Sequence, residues 1–192
     1  MKKNKVLALV SNGVEEMELV IVVDLLRRAG IHVDIVSISS REVQCSREVR
    51  IIADKTFNEI GSVEEIIQNY DAIYIPGGAV NAENLKNFLP LKEIITGFIN
   101  NNRIVAAICA GPTVINHHFP LKDHKATCYP SLKDSLPNYF DQRVVIDGNF
   151  ITSQGPATSF DLALTLVEKL KNPQTKENIS EAILYKWLIT TK

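Results

Sequence analysis

One cysteine in this chain stands where a nucleophile is usually presented. Cys109 ends the apolar run Ile104–Ile108, and the residues after it, Ala110-Gly111-Pro112, are where a helix is expected to begin. A thiol at that junction meets the unpaired amide N–H groups and the positive dipole end of the helix. Such a setting favours thiolate and draws a cysteine pKa below its free value of about 8.5. The same strand–turn–helix elbow carries the nucleophile of serine hydrolases. The competing reading is a small apolar side chain closing the end of a core strand, since free cysteines are among the most buried residues.

Other residues with chemistry sit at equivalent places. Glu15-Glu16-Met17-Glu18 follows the first apolar run and opens a helical pattern. Acidic residues there ordinarily complement the helix dipole, and two of the three glutamates need do no more. The third can point across to the thiol as a protonated carboxyl, its pKa raised by desolvation and like charge. Spacing does not choose between them, but Glu18 lies one turn inside and is the one expected to face inward. Pro76-Gly77-Gly78 follows another apolar run, and paired glycines permit either a plain tight turn or close approach of backbone donors to an oxyanion. Ser153-Gln154-Gly155-Pro156 fits a further strand-to-helix connection, with proline suited to a first helical position.

Histidines do not complete a cysteine–histidine pair. His32 opens a strand at the opposite edge, and His117 and His118 fall near the end of the helix after Cys109. At 1.5 Å per residue that is roughly ten ångströms from the sulfur. His124, in a loop, is the one remaining candidate base.

The elements that position these residues are read from periodicity. Runs at 6–10, 33–38, 72–75 and 104–108 are short and nearly all apolar, as strands buried on both faces must be. Helical spacing occupies 15–29, 63–69, 91–101, 157–170 and 177–188, with Gly30 as a C-cap. Segments 43–52 and 143–152 read as hairpins, the second turning at Asp147-Gly148. Alternating strands and helices imply a mostly parallel sheet with helices on both faces. Ligands of such α/β folds bind outside the carboxyl ends of the strands, where the loops Ser11–Glu18, Pro76–Asn81 and Cys109–Pro112 converge.

A chain of 192 residues, 45% hydrophobic and 22% charged, suits one soluble domain. A net charge of −1 without basic runs gives no reason to expect nucleic acid or an anionic membrane as partner. The apolar run behind Met1-Lys2-Lys3-Asn4-Lys5 is too short for a signal peptide, and no stretch suits a membrane helix. Three cysteines without paired spacing (Cys45, Cys109, Cys128) indicate neither a disulfide framework nor a zinc site, so a reducing cytoplasm is expected.

Together these residues resemble the ThiJ/PfpI superfamily, specifically its parkinsonism-associated deglycase branch. The likeness runs from the first strand to about Leu170. It is carried by Glu15-Glu16-Met17-Glu18, Val23-Asp24-Leu25-Leu26-Arg27-Arg28-Ala29-Gly30, Gln44-Cys45-Ser46-Arg47 and Pro76-Gly77-Gly78. Ala106-Ala107-Ile108-Cys109-Ala110-Gly111-Pro112 and Thr152-Ser153-Gln154-Gly155-Pro156 complete it, all in the family's order. The resemblance implies a single domain over 1–192, a flavodoxin-like three-layer sandwich, a homodimer, and no metal or organic cofactor. It assigns Cys109 as the reactive thiol, Glu18 as its protonated partner, and Gly77, Gly78 and Ala110 as backbone donors. Glu15, Arg47, Tyr129, Gly155 and Pro156 fall at the pocket, with Arg47 reaching a neighbouring subunit's pocket. Asp24 and Arg28 fall at the dimer interface, with Cys45 nearby. The chain departs from the family in one place. Cys128-Tyr129-Pro130 stands where several members have Thr-His-Pro, and a phenol with a pKa near 10 is a poor base.

Two functions follow from the resemblance. One is a glutathione-independent glyoxalase or deglycase acting on small dicarbonyls or on glycated protein. The other is a redox-sensing, chaperone-like stress protein whose cysteine becomes a sulfinate with little turnover. Peptidase relatives place histidine directly after the nucleophile, where this chain has Ala110, and amidotransferases need a downstream His-x-Glu that it lacks.

Overall fold

In the computed structural model, which describes residues 4–185, the continuously apolar runs become the middle of one sheet. The strands in chain order are β1 (Lys5–Val10), β2 (His32–Ser37), β3 (Glu42–Gln44), β4 (Arg50–Ile52) and β5 (Lys55–Thr56). They continue with β6 (Ala72–Ile75), β7 (Ile104–Ile108), β8 (Val144–Asp147) and β9 (Phe150–Ser153). The helices are α1 (Glu16–Arg28), α2 (Val63–Asn69), α3 (Ala79–Lys86), α4 (Pro90–Asn100), α5 (Gly111–His118), α6 (Ser159–Leu170) and α7 (Pro173–Ala182). The main sheet runs β5-β2-β1-β6-β7-β9-β8, parallel except for β8. Strands β3 and β4 form a separate antiparallel ribbon.

Alternation along each strand divides the core into two layers. Val6, Ala8 and Val10 of β1 join a cluster with α1 and α6, including Leu19, Val22, Leu26 and Leu166. Leu7 and Leu9 face the other way, onto Ile66 of α2, Ile94 and Phe98 of α4 and Val114 of α5. Apolar side chains on both faces exclude water from both, which gives a flavodoxin-like three-layer sandwich. From β1 the chain steps outward to β2 on one side, while β6 and β7 lie on the other. The crevice of such a sheet opens at that reversal, beyond the carboxyl ends of β1 and β6.

Four details differ from the sequence reading. Residues 79–81, read as loop, begin α3. Its sequence AVNAENLK is only eight residues long and carries no apolar stripe, so nothing local announces a helix. Side-chain bonds hold its first turn: buried Asn81 donates from Nδ2 to the nearby carbonyls of Pro76 (3.0 Å) and Gly77 (3.1 Å) and accepts the N–H of distant Ser11 at 2.7 Å. The turn of the second hairpin is Gly148-Asn149, because Asp147 still pairs with Phe150. Pro156–Thr158 is a 3-10 turn, so α6 starts at Ser159. Helix α7 starts at Pro173, capped by Asn172, whose Oδ1 accepts the Thr175 N–H at 2.8 Å. It stops before Leu184, where φ is 59°, and Leu188 lies outside the described residues.

Strand β2 carries two further features. Its outer edge is covered by β5 only at Val36 and Ser37. Beyond that, Arg27 donates to the Val33 carbonyl at 2.8 Å and Asp54 accepts the Ile35 N–H at 2.8 Å, the two side chains bridging each other at 2.6 Å. On β2 itself, buried Asp34 faces Lys5 (3.0 Å), Lys55 (3.3 Å), His32 (3.1 Å) and the Tyr70 hydroxyl (2.6 Å). Burial works to raise its pKa. The Tyr70 hydroxyl and the two ammonium groups overcome that and hold the carboxyl well below the usual range.

Candidate active site

The loops leaving β1, β6 and β7 meet at a cavity of about 560 Å³ with Cys109 in its wall. Cys109 has φ of 60°, in the left-handed region that a non-glycine residue occupies at a cost of about 1–3 kcal/mol. The elbow is over-determined. Cys109 N–H donates to the Ser153 carbonyl (3.0 Å) and its carbonyl accepts from Tyr129 N–H (2.9 Å). Helix α5 follows at once with Gly111 and Pro112 at its start. A Cβ on Gly111 would lie 2.4 Å from the Ile75 carbonyl oxygen, so only glycine lets the helix sit this close to β6.

Glu18 is the glutamate that reaches the thiol. It is fully buried on the inner face of α1, and the Tyr74 hydroxyl fixes that turn by donating to the Glu18 carbonyl at 2.9 Å. Its carboxylate Oε2 accepts the Gly77 N–H at 2.8 Å, while Oε1 is buried with no donor. Burial pushes this carboxyl up to about 7, with the Glu15 charge adding to the shift and the Gly77 and Cys109 hydrogen bonds opposing it. Glu15 lines the cavity too, accepting from the Ser46 hydroxyl at 2.6 Å. Glu16 is a tether. It accepts the Arg47 N–H at 2.9 Å and the Ser46 hydroxyl at 3.0 Å, and these bonds lower its pKa despite burial.

The sulfur itself corrects one expectation. Burial first, then the Glu18 carboxylate, push the Cys109 thiol up to about 12, against the N–H groups of Gly78 and Ala110. The helix start alone therefore does not ionise it. While Glu18 is ionised the thiol keeps its proton, so thiolate forms only as that proton moves to Glu18. Protonating Glu18 removes the charge that opposes ionisation and turns its hydroxyl toward donation.

Gly77 does not face the cavity as a free donor, because its N–H is committed to Glu18. A Cβ there would lie 2.5 Å from Oε2 of Glu18 and 2.6 Å from Cβ of Cys109, so glycine is what lets the two meet. Gly78, with φ of 93°, and Ala110 supply the donors at the sulfur. Tyr129 and Pro156 line the cavity, whereas Gly155 stands behind the Tyr129 ring and donates its N–H to Thr158 Oγ1 at 3.0 Å. Arg47 lines the cavity of its own chain. Asp24 and Arg28 lie elsewhere, paired at 2.5 Å on the exposed side of α1 above a separate shallow groove. Cys45 and Cys128 are buried, which pushes each thiol up to about 11.

None of the histidines lines the cavity. His124 packs against Phe150 at 4.7 Å near Asp147, at the far end of β9 from the sulfur. The sequence reading missed Tyr74, Lys86, Thr113, Ser131, Leu132 and Ser135. Lys86 is legible only once α3 is known. Pro130 followed by Ser131 and Ser135 at turn spacing was the available hint of the wall they form.

A family model described as DJ-1/PfpI matches residues 4–169. The chain belongs to the DJ-1/PfpI family. The zebrafish (Danio rerio) Parkinson disease protein 7 homolog is 37% identical over 192 residues, covering 97% of this chain and 100% of that one. The Caenorhabditis elegans glutathione-independent glyoxalase DJR-1.2 is 30% identical over 182 residues, covering 93% and 94%. Among solved structures, oxidized Toxoplasma gondii DJ-1 superposes with a TM-score of 0.86 at 33% identity, covering 94% of this chain and 98% of that one. Membership of the DJ-1/PfpI family agrees with the sheet order and the elbow described above. Among the described residues no helix is long and apolar enough to cross a membrane.

Proposed function

We propose that this DJ-1/PfpI protein converts small α-oxoaldehydes to 2-hydroxy acids through the Cys109–Glu18 pair, without glutathione. One observation carries the reading: a buried carboxyl with one unpartnered oxygen stands against a thiol held at a strained elbow, both lining one cavity. With the proton on Glu18, the thiolate adds to the aldehyde carbon of methylglyoxal and the carbonyl electron pair moves to oxygen. The Gly78 and Ala110 amides that held the sulfur's charge are then left to meet the new oxyanion. Glu18 gives its proton to that oxygen, takes the proton from the carbon bonded to sulfur, and returns it to the neighbouring carbon, while the proton on the first oxygen passes to the second. The first carbon is oxidised to a thioester as the second is reduced to a carbinol. Water cleaves the thioester, releasing lactate and the thiol, so no external oxidant is required. The relative named as a glyoxalase supports this choice. Purified protein given methylglyoxal is expected to form lactate, and a Cys109→Ala variant none. Equal lactate from both would end the proposal.

A second reading has its own support. No imidazole lines the cavity, Tyr129 stands at its mouth, and one structural relative is described as oxidized. On this reading peroxide takes Cys109 to a sulfinate that accepts from protonated Glu18. Mass spectrometry after mild peroxide is expected to find Cys109 oxidised ahead of buried Cys45 and Cys128. Equal oxidation of the three would remove this reading.

We also infer a homodimer through the exposed side of α1. Met17 and Val20 are 51% and 53% exposed there, in line with Asp24 and Arg28. Sedimentation of wild type against Val20→Asp tests it, the variant being expected to shift to monomer.

A further inference from the structure

The cavity is larger than a three-carbon dicarbonyl needs, and its far end is built differently from the end at the sulfur. Two attachments to α5 define that end. His118 Nε2 bonds the Leu85 carbonyl at 2.9 Å, which sets the end of α3, with Lys86, against the last turn of α5. Asn116 donates to the Ser135 carbonyl at 3.0 Å, which sets the 3-10 turn Pro130–Ser135 beside the same half of the helix. Lys86, Ser131 and Ser135 all line the cavity. Between Ala110 and Asn116 the helix rises roughly 9 Å, at 1.5 Å per residue.

Lys86 is half-buried, and among the described residues no carboxylate lies within ion-pair distance of its ammonium group. A lysine in a last helical turn is usually explained by the dipole, and that accounts for its residue type. It does not account for its place in the wall of the cavity, beside the exposed hydroxyls of Ser131 and Ser135. The cavity's carboxyls, Glu15 and Glu18, are bound at the opposite end by Ser46 and Gly77, and its other cation, Arg47, stands with them, donating to the Ser46 carbonyl at 3.2 Å. A cation and two hydroxyls at one end, with the nucleophile at the other, select a substrate with an anion on its tail.

We propose that Lys86 is a specificity-determining residue, and that the cavity takes α-oxoaldehydes bearing a carboxylate or phosphate several bonds from the aldehyde carbon. This rests on the reading of Cys109 as nucleophile toward such aldehydes. The carboxylate member is 4,5-dioxovalerate, which the same internal transfer and one water convert to 2-hydroxyglutarate.

The test compares kcat/KM for 4,5-dioxovalerate and methylglyoxal. Wild type is expected to prefer the anion, and Lys86→Gln to lower the ratio by about ten-fold or more, the range for a hydrogen bond to a charged group. Lys86→Arg keeps the preference, and Lys133→Gln, an exposed cation on the same turn but outside the cavity, does not move it. A ratio unchanged in Lys86→Gln overturns the inference. A second arm needs no turnover: millimolar glutarate or inorganic phosphate is expected to slow alkylation of Cys109 by iodoacetamide in wild type but not in Lys86→Gln. Which of the two protects identifies the favoured anion. Protection without lactate formation would sink the glyoxalase reading and leave the anion site standing. Lactate formation with protection by neither anion would do the reverse.

Discussion

Two buried carboxyls in this molecule have opposite fates. Asp34 on β2 is 4% exposed and Glu18 on α1 is 0% exposed, so both lose nearly all contact with water. Asp34 is met by two ammonium groups, a ring nitrogen and a phenol, and its pKa falls. Glu18 is met by one amide and the Cys109 thiol, with one oxygen lacking any partner, and its pKa rises to about 7. Burial sets the cost in both places, and the partners decide who bears it. A saturated carboxyl is a staple that ties β1, β2, β5 and Tyr70 together. A carboxyl left short of donors keeps a proton to give, and that is what acid–base chemistry requires.

The contrast is broken most severely by Glu18→Gln, which keeps a donor at the sulfur but cannot move a proton. Lactate formation from methylglyoxal is expected to fall about 10²–10⁴-fold, the usual share of general acid–base catalysis. In the same variant the two-step loss of protons by the pair collapses to a single thiol titration between about 7 and 12, followed by thiolate absorbance. An unaltered titration would mean the two groups are not coupled.

The same substitution is expected to stabilise the fold. Glu18 has a raised folded pKa, so its contribution is fully present below the unfolded value of 4.5 and is lost as pH rises through about 7. Above that pH, wild type carries a penalty of about 3 kcal/mol that the amide escapes. Denaturant unfolding at pH 8 checks the sign, and at pH 4 the gap is expected to close.

Asp34→Asn has the opposite consequence. A carboxyl with a depressed folded pKa gives stability that is present above the unfolded value of 3.8 and lost as pH falls below it. Its loss is expected to cost about 2–3 kcal/mol at neutral pH, as for hydrogen bonds to a charged group. Alkylation of Cys109 is expected to be unchanged, because the two carboxyls serve different ends of the sheet. Tyr74→Phe is the mildest probe. It removes the hydroxyl that pins the Glu18 turn and is expected to cost about 1 kcal/mol, with a small loss of activity.

How much of this was legible in the chain depends on what each residue answers to. The parallel strands announced themselves because a strand buried on both faces must be apolar throughout, and residues 72–75 and 104–108 match their structural limits. Cys109, Glu18 and the glycine pair were found because a nucleophile elbow needs those residue types at those turns. Helix α3 was not, because it is short, and its start is held by Asn81 bonding the carbonyls just before the helix and the distant Ser11 amide. With α3 unread, Lys86 had no address. The thiol's resistance to ionisation was likewise hidden, since the helix start is visible in sequence but the burial that outweighs it is not.

The braced outer edge of β2 has a consequence for solubility. A bare strand edge invites a foreign strand to add, the step that begins fibrous aggregation. Here Arg27 and Asp54 occupy the Val33 carbonyl and the Ile35 amide where β5 gives no cover, using charges that an added strand would have to displace. On the proposed function such charges are at risk, since carbonyl adducts form on arginine. Modification of Arg27 would free the Val33 carbonyl and leave Asp54 alone to brace the edge.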